Sequence, residues 1–327
     1  MTTPEPAPKV SVIIPTYNRA ALLPRAVDSV LAQPCQDFEL LIVDDCSADD
    51  TPQVIAAFTD PRIRAFRHDA NRHISASLNT GIANARGEYI TFLEDDNELT
   101  PNSITCRLEA LESASPDVAL AYGWLDFVDD STGAAIEKDN YRFTLEGKEA
   151  RQASLRFQDF TGIGGILART AVVQKIGGFD ERIRMGMDVF FMCSMQMRYS
   201  VTPVRQVVGI IHKKHGHLKA THWSNFDNVI ADLAVFRRHF EHPINDIPDL
   251  DGELARMAPR FLRIMATRAA RDGELAEMLF ISFKLLKTYP LSLGNLRLPL
   301  HLLKGYVFYF SPLRRYRLGL QRLLGQR

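Results

Sequence analysis

The chain has 327 residues, of which 46 % are hydrophobic, so it can bury a large core and is not expected to be disordered. Lys and Arg together number 39, as do Asp and Glu, and this balance argues against a generic nucleic-acid binder, which would carry a basic excess. The charge is uneven along the chain, because the segment from Met278 to Arg327 has nine Lys or Arg and no Asp or Glu.

The first predicted elements alternate between strand and helix. The apolar, β-branched run at residues 10–14 (VSVII) predicts a strand buried on both faces, and apolar residues at helical spacing follow at residues 20–31. Further strands are predicted at residues 40–43, 63–66, 89–93 and 118–122, and further helices at 51–58, 74–85 and 103–111. This alternation predicts an α/β fold with right-handed βαβ units, a mostly parallel sheet and flanking helices.

Polar residues follow three of these strands, at the edge where open α/β sheets bind their ligands. They are residues 15–19 (PTYNR), 44–47 (DDCS) and 94–97 (EDDN). We therefore expect the three segments to meet on one edge of the sheet. No Walker-type phosphate loop or nicotinamide fingerprint follows the first strand, so a diphosphate would have to be held by a metal and by side chains.

The acidic triplet Glu94, Asp95 and Asp96 has two interpretations. Carboxylates this close repel one another, and a hard divalent cation such as Mg²⁺ or Mn²⁺ would stabilise them while leaving positions for diphosphate oxygens. Alternatively, the triplet is a solvated turn that caps the helix beginning near Pro101.

Asp44, Asp45 and Tyr17 also have two interpretations. The two carboxylates either accept hydrogen bonds from a nucleobase or ribose, or serve as caps of the following helix. Tyr17 either stacks on a base or is an ordinary exposed aromatic residue in a turn.

The pattern changes beyond residue 126, and we interpret the following segment as the acceptor-side half of a catalytic domain. The glycine-rich residues 162–165 suit close approach to a sugar, or form a plain turn. His212, His215 and His217 follow an apolar run together with Lys213 and Lys214, which indicates either a metal-binding or a solvated loop. The predicted domains are a catalytic domain at residues 8–222 and a helical, basic region at residues 223–327.

Cellular location is inferred from three absences. The cysteines Cys35, Cys46, Cys106 and Cys193 are too scattered for a disulfide framework, which favours a reducing compartment. The first ten residues lack a signal pattern, and no apolar stretch reaches the roughly 18 residues of a spanning helix. We expect a cytoplasmic protein. The basic, aromatic residues 281–327 suit attachment to an anionic membrane surface, or packing on the protein itself or on a partner.

Four blocks of the sequence together resemble the inverting glycosyltransferases of family 2, which share the Rossmann-like GT-A fold. The blocks are VSVIIPTYNR, ELLIVDDCSADDT, LNTGIANARGEYITFLEDDNELTP, and GGFDE followed by GMDVFF, and they span about residues 10–191. The resemblance implies that Pro15, Tyr17 and Asp45 surround the nucleobase and ribose of a nucleotide sugar. It also implies a position near the base or phosphate for Arg72.

The resemblance further assigns the acidic triplet. Asp95 matches the ribose contact and Asp96 the metal ligand, while Glu94 stands where the family motif usually has Asp. In related enzymes a residue from the later segment completes the metal site, and His215 is the candidate here.

Asp188 matches the family's general base, which deprotonates the acceptor hydroxyl. The Glu of the family's Glu-Asp pair is Met187 in this chain. The alternative for Asp188 is a helix-start carboxylate stabilised by the helix dipole. Asp180 in GGFDE is a weaker rival for the base.

These residues predict an inverting glycosyltransferase of polysaccharide biosynthesis that depends on Mn²⁺ or Mg²⁺. It would move sugar from a nucleotide diphosphate sugar, with a UDP-sugar favoured, to a glycan, lipid-linked or small-molecule acceptor. The alternatives are a polyprenyl-phosphate sugar synthase and a non-catalytic nucleotide-sugar-binding module. No nucleic-acid partner is expected, and the basic tail predicts peripheral attachment to the inner membrane face.

Overall fold

The computed structural model describes residues 7–136, 144–146, 162–183 and 187–213. All of them belong to the first of the two compact units into which the chain divides, Met1–Leu218 with Arg238–Asn245. The predicted domain boundary after residue 222 lies outside the described residues and stays a prediction.

The strands and helices predicted up to residue 122 are all present. The strands are β1 (Val10–Thr16), β2 (Phe38–Asp44), β3 (Ile63–Arg67), β4 (Tyr89–Phe92), β5 (Glu98–Leu99), β6 (Val118–Asp129), β7 (Ala134–Ala135), β8 (Ile166–Arg169) and β9 (Ser200–Lys213). The helices are α1 (Leu23–Leu31), α2 (Thr51–Ala57), α3 (His73–Asn84), α4 (Ser103–Ser113), α5 (Thr170–Lys175) and α6 (Met187–Arg198). The largest difference from the prediction is β6, which continues well beyond residue 122.

The strands lie side by side in the order β3-β2-β1-β4-β8-β6-β9-β5, with β7 paired to β6. β1, β2, β3 and β4 pair in parallel, as predicted. β8 is antiparallel to β4 and to β6, β5 is antiparallel to β9, and β6 and β9 are parallel with shifts in register. The α/β fold is therefore confirmed. The sheet is mixed beyond β4, because the short β8 begins beside the end of β4 and runs in the opposite direction.

Successive residues of a strand point to opposite faces of the sheet, so the continuous apolar run of β1 places apolar side chains on both faces. Val12 and Ile14 join the apolar cluster that includes residues of α1 and α4, whereas Ile13 joins the cluster that includes residues of α3, α5 and α6. The helices thus cover the sheet on two sides. Within the described residues, no helix is long and apolar enough to span a membrane.

Three aromatic rings fix the start of α6 against the end of β4. Phe92 of β4 meets Phe179 and Phe191 edge to face, at centroid distances of 5.3 and 5.8 Å. Phe179 and Phe191 stack on each other at 4.3 Å. Such pairs add specific geometry to apolar burial, so the turn before α6 and α6 itself are held close to the carboxyl end of β4.

Candidate functional site

The polar segments after β1, β2 and β4 meet on one edge of the sheet, as the sequence predicted. The main-chain N–H of Asp45 donates to the carbonyl oxygen of Thr16 at 2.9 Å. On the other side of β1, the main-chain N–H of Tyr17 bonds to the carboxyl group of Asp95. Since β1 lies between β2 and β4, the two acidic segments are separated by one strand, or roughly 10 Å at the usual strand spacing.

Asp44 and Asp45 have different surroundings, although they are neighbours in sequence. Asp44 is buried, accepts a bond from the Ser47 N–H at 2.9 Å and pairs with the Arg67 guanidinium at 2.7 Å, so it stabilises the turn after β2. Asp45 Oδ1 accepts the Arg72 main-chain N–H at 2.8 Å and lies 2.7 Å from His68 Nδ1. Only Asp45 therefore remains a candidate for contact with a nucleotide.

Pro15, Tyr17 and Asn18 form the wall beside Asp45. Pro15 lies within β1, opposite Val43 of β2, and is buried. Asn18 has a left-handed backbone with φ 53°, and its side-chain oxygen accepts the Ala48 N–H at 2.8 Å, which ties the loops after β1 and β2 together. The Tyr17 side chain is 44 % exposed, so its ring is available for stacking on a base.

Arg72 connects the Asp45 side of the site with the acceptor-side half. Its main chain bonds to Asp45, and its exposed guanidinium pairs with Glu181 at 3.3 Å. Asn79 of α3 donates to the other oxygen of Glu181 at 3.1 Å. The ion pair between Arg72 and Glu181 is exposed to solvent and therefore weak, so Arg72 could leave Glu181 for the predicted phosphate or base contact.

The turn before α6 is docked on α3 through the amide of Asn79. The amide nitrogen donates to the Phe179 carbonyl at 2.7 Å, and the amide oxygen accepts the Phe179 N–H at 2.8 Å. Gly178 has φ +68°, and a Cβ there would lie 2.4 Å from the Asn79 amide oxygen. Glycine is therefore required at position 178 both by the backbone and by this contact.

The acidic triplet lies at the end of β4, and two of its members have strongly raised pKa values. Burial raises the pKa of Glu94 to about 7, and the charges of Asp96 and Asp188 add to the rise. Burial also raises the pKa of Asp95 to about 7, with a further contribution from Asp96, although Arg19 acts in the opposite direction at 3.7 Å. These carboxyl groups are close enough to repel one another.

Carboxylate oxygens, which this triplet offers, are the ligand type that hard divalent cations prefer. Within the described residues no group of three or more His, Cys, Asp or Glu forms a complete metal cage. Mg²⁺ and Mn²⁺ bound together with a diphosphate need only one or two protein carboxylates, however, and a cation would offset the repulsion that adds to the effect of burial on the two pKa values. Asp96 is partly exposed and keeps its place as the ligand candidate.

Asp188 lies in the first turn of α6, and its charge acts on Glu94. The candidate base and the acidic triplet are therefore within electrostatic reach of each other. Asp180, the weaker rival, accepts two hydrogen bonds from the Arg182 guanidinium at 2.9 and 2.6 Å, which makes it a structural residue of its turn.

A network of four side chains, those of Arg25, Asp130, His212 and Glu98, joins the acidic triplet to the end of β9. The Arg25 guanidinium donates to the main-chain oxygen of Asp96 at 2.7 Å and to Asp130 at 2.8 Å. His212 lies between two carboxylates, with Nδ1 at 2.8 Å from Asp130 and Nε2 at 2.7 Å from Glu98. Because both of its ring nitrogens are occupied, His212 is not a metal ligand in this arrangement.

The other residues of the histidine-rich tract, namely Lys214, His215 and His217, lie outside the described residues. The metal-binding role predicted for His215 therefore stays a prediction. Lys213 ends β9, and its ammonium group lies 4.3 Å from the centroid of the Phe127 ring. This cation–π contact holds the ammonium group of Lys213 against the Phe127 ring of β6.

The glycine-rich residues 162–165 lie directly beside the triplet. A Cβ on Gly164 would lie 3.3 Å from Glu94 Oε2, so the backbone approaches the carboxyl group closely. Arg107 stabilises this turn, because its fully buried guanidinium donates to the main-chain oxygens of Ile166 at 2.6 Å and Gly164 at 3.3 Å. Burial lowers the pKa of Arg107 to about 10.

Sequence reasoning missed His68, Arg25, Asp130 and Arg107. His68 directly follows β3, so the rule that identified the other strand-end residues would have found it. Arg25 and Asp130 lie 105 residues apart and carry no local signal of their contact. A buried arginine in a helix, such as Arg107, also has no signature in the apolar pattern.

Comparison with known proteins identifies the family and the fold. The model of the family described as "Glycosyl transferase family 2" matches residues 11–177. The succinoglycan biosynthesis protein ExoO of Rhizobium meliloti is 28 % identical over 78 % of this chain and 73 % of its own length. The putative colanic acid biosynthesis glycosyl transferase WcaA of Escherichia coli is 30 % identical over 65 % of this chain and 76 % of its own. The crystal structure of S. aureus TarS 1–349 in complex with UDP-GlcNAc has a TM-score of 0.65 at 15 % identity, covering 94 % of this chain and 92 % of that one, which shows the GT-A fold.

Proposed function

The chain belongs to glycosyl transferase family 2, and from this premise we propose that it transfers a sugar, with inversion, from a UDP-sugar to a hydroxyl group of a growing polysaccharide. One observation carries the proposal. The acidic triplet at the end of β4 lies one strand from Asp45 and within electrostatic reach of Asp188. Open α/β sheets bind their ligands at such an edge, which supports a nucleotide beside Asp45 and a reaction centre beside Asp188.

The donor nucleotide would lie across the end of β1. Asp45 accepts a hydrogen bond from the base, Tyr17 stacks on the base, and Pro15 forms part of the wall. Asp95 accepts a hydrogen bond from the ribose. Arg72 exchanges its exposed contact with Glu181 for the base or the phosphates, and the exposed pair is weak enough to be replaced.

Asp96 would hold the divalent cation, with His215 completing the site from the chain beyond β9. A bound Mn²⁺ or Mg²⁺ neutralises the charge that develops on the leaving nucleoside diphosphate. Arg25 keeps the main chain of Asp96 in place, and Glu94 adds negative charge beside it.

Asp188 would act as the general base. The acceptor oxygen forms a bond to the anomeric carbon, the bond from that carbon to the diphosphate oxygen breaks, and the hydroxyl proton moves to the Asp188 carboxylate. Attack opposite the leaving group inverts the anomeric centre. The edge-to-face and stacked rings of Phe92, Phe179 and Phe191 keep the base at a fixed position.

A polysaccharide acceptor is supported by two relatives whose names place them in succinoglycan and colanic acid biosynthesis. A UDP-sugar donor is supported by the UDP-GlcNAc complex of the structural neighbour. Action at the inner membrane face is supported by the basic composition of residues 281–327, which lie outside the described residues.

The proposal is tested by separating donor binding from transfer. Asp96→Asn should abolish Mn²⁺-dependent binding of UDP-GlcNAc or UDP-glucose, measured by calorimetry. Asp188→Asn should leave that binding intact and remove the release of UDP that accompanies transfer or slow donor hydrolysis. Asp60→Asn, which changes a carboxylate paired with Arg62 away from the site, serves as the control. Normal turnover by Asp188→Asn would refute the assigned base, and Mn²⁺-dependent binding by Asp96→Asn would refute the assigned ligand.

A further inference from the structure

His212 lies near the end of β9, inside a network of side chains from α1, β5, β9 and the end of β6. Its side chain is 10 % exposed, with Nδ1 at 2.8 Å from Asp130 Oδ1 and Nε2 at 2.7 Å from Glu98 Oε1. The Arg25 guanidinium completes the network, because one of its terminal nitrogens donates to the same Asp130 oxygen at 2.8 Å. The network therefore contains two basic and two acidic side chains.

The partners of the His212 ring determine its charge. A carboxylate oxygen accepts hydrogen bonds and has none to donate, so each ring nitrogen needs a proton of its own. The hydrogen bond from Arg25 lowers the pKa of Asp130, which keeps that carboxyl group ionised. Imidazole is a stronger base than a carboxylate, so the proton between His212 and Glu98 lies on the ring. His212 is therefore an imidazolium, and the two positive charges of the network balance the two negative ones.

Arg25 is the residue through which this charge balance reaches the proposed metal ligand. The other terminal nitrogen of its guanidinium donates to the main-chain oxygen of Asp96 at 2.7 Å. Its Nε is buried, forms no hydrogen bond with the described residues and lies 3.7 Å from Glu98 Oε1. Without the His212 charge, Glu98 would keep only Arg25 as an ion-pair partner among the described residues. A guanidinium drawn toward Glu98 through Nε would turn away from Asp96, because its three nitrogens lie in one rigid plane.

We propose that His212 is a positioning residue for Asp96: its positive charge pairs with Glu98 and Asp130, so that Arg25 stays bonded to the Asp96 main chain. The inference rests on the proposed function, because it needs a divalent cation and a nucleoside diphosphate at Asp96. Groups that orient a metal ligand from outside the coordination sphere change metal affinity by about 10- to 100-fold when they are removed. His212 and Arg25 act on Asp96 in this way.

The main chain of His212 is held independently of its ring. Its N–H donates to Asn97 Oδ1 at 3.0 Å, and the residue pairs with Val128 of β6 in the sheet. A substitution of the ring is therefore expected to leave β9 in place, so the effect of the charge can be measured in a folded protein.

The test is a Mn²⁺ titration of UDP binding to the full-length protein, measured by calorimetry. His212→Gln removes the positive charge, and its amide oxygen faces one of the two carboxylates, so the Mn²⁺ midpoint should rise by about 10-fold. His212→Gln combined with Glu98→Gln removes one charge of each sign, and the midpoint should return to within about 3-fold of the wild type. His212→Gln combined with Glu109→Gln is the matched control, since Glu109 is an exposed residue of α4. That control should remain as impaired as His212→Gln alone.

The second substitution separates a role of the charge from a role in packing. If the ring only fills space, the variant with both glutamines has lost more native contacts and needs no less Mn²⁺ than His212→Gln, which would overturn the inference. A wild-type midpoint in His212→Gln would overturn it as well. Thermal unfolding shows whether each variant folds; if His212→Gln does not, His212→Asn, with the same amide on a shorter side chain, replaces it in both pairs. Absent or Mn²⁺-independent binding of UDP by the wild type would instead refute the proposed function, and this inference with it.

Discussion

Replacing Glu94 with Gln should make the metal-free protein more stable above neutral pH. Burial raises the pKa of Glu94 from 4.5 to about 7. Between these values the folded protein keeps a proton that the unfolded chain has released, so the stability contributed by this group falls as the pH rises through the window. The difference of about 2.5 pH units corresponds to about 3 kcal/mol at about 1.4 kcal/mol per unit, and this is an upper figure because Glu94 is partly exposed to solvent.

Gln has nearly the same shape as Glu94 and carries no charge, so Glu94→Gln should remove most of this penalty. We expect a gain of up to about 3 kcal/mol in the free energy of unfolding at pH 8, and about 1 kcal/mol or less at pH 5. Hydrogen–deuterium exchange of the β4 amides in EDTA measures the stability of the sheet itself, which matters in a chain with two compact units. Glu109→Gln, at an exposed position of α4, should change the stability by less than about 0.5 kcal/mol at either pH. A pH dependence as steep in Glu94→Gln as in the wild type would show that the buried carboxyl is not the cause.

Two further predictions concern arginines beside the site, and a third concerns a glycine at the opposite edge of the sheet. Arg107→Met should lower the free energy of unfolding by about 3 kcal/mol, since the buried main-chain oxygens of Gly164 and Ile166 would lose the charged guanidinium donor, although the Thr91 hydroxyl would still donate to Ile166; stability equal to that of the wild type in chemical denaturation would contradict this. Arg25→Lys should raise the Mn²⁺ concentration needed for donor binding by about 10-fold, because the hydrogen bond from the guanidinium to the main-chain oxygen of Asp96 is lost. An unchanged midpoint in a Mn²⁺ titration would contradict this positioning role. Gly87→Ala should destabilise by more than about 2 kcal/mol, because its Cβ would lie 2.5 Å from the main-chain nitrogen of Ser11. Gly133→Ala, with open space but φ +69°, should cost about 1 kcal/mol, and an equal loss in both variants would show that the close contact is not the cause.

The sequence was most informative about the first 122 residues, where each buried strand is a continuous apolar run and each helix has its own periodicity. These signals are local, so they locate an element without naming its partner. The antiparallel β8 and the pairing of β5 with Gly209 and Ile210 depend on contacts far apart in the chain, and no local pattern encodes them.

Buried charges were the second limit of sequence-based prediction. Glu39 interrupts the apolar pattern of β2 but is only 2 % exposed, because Ser11, Arg64 and the main chain of Arg86 all donate to its carboxylate. These partners come from β1, from β3 and from the loop after α3. A carboxylate is acceptable in the interior when such donors surround it, and only the folded structure reveals that they do.

The candidate site was partly predictable because strand ends mark a ligand edge. That rule and the family resemblance located Asp45, the acidic triplet and Asp188. The strand-end rule alone could not distinguish Asp44 from Asp45, since these adjacent residues differ here only in the partners that contact them, whereas the family resemblance indicated Asp45. The structure also showed that His212 is bound on both sides by carboxylates, which a count of histidines cannot reveal.

The helix α3 serves both halves of the domain through two consecutive residues. Asn79 bonds to the turn before α6, which carries Asp188, and the Thr80 hydroxyl contacts the His68 ring beside Asp45. Each residue advances about 100° around a helix. Deleting one residue of α3 before Asn79 would therefore rotate Asn79 and Thr80 away from their partners at the same time. A change in the length of α3 would therefore disturb the proposed nucleotide side and the proposed acceptor side of the site together.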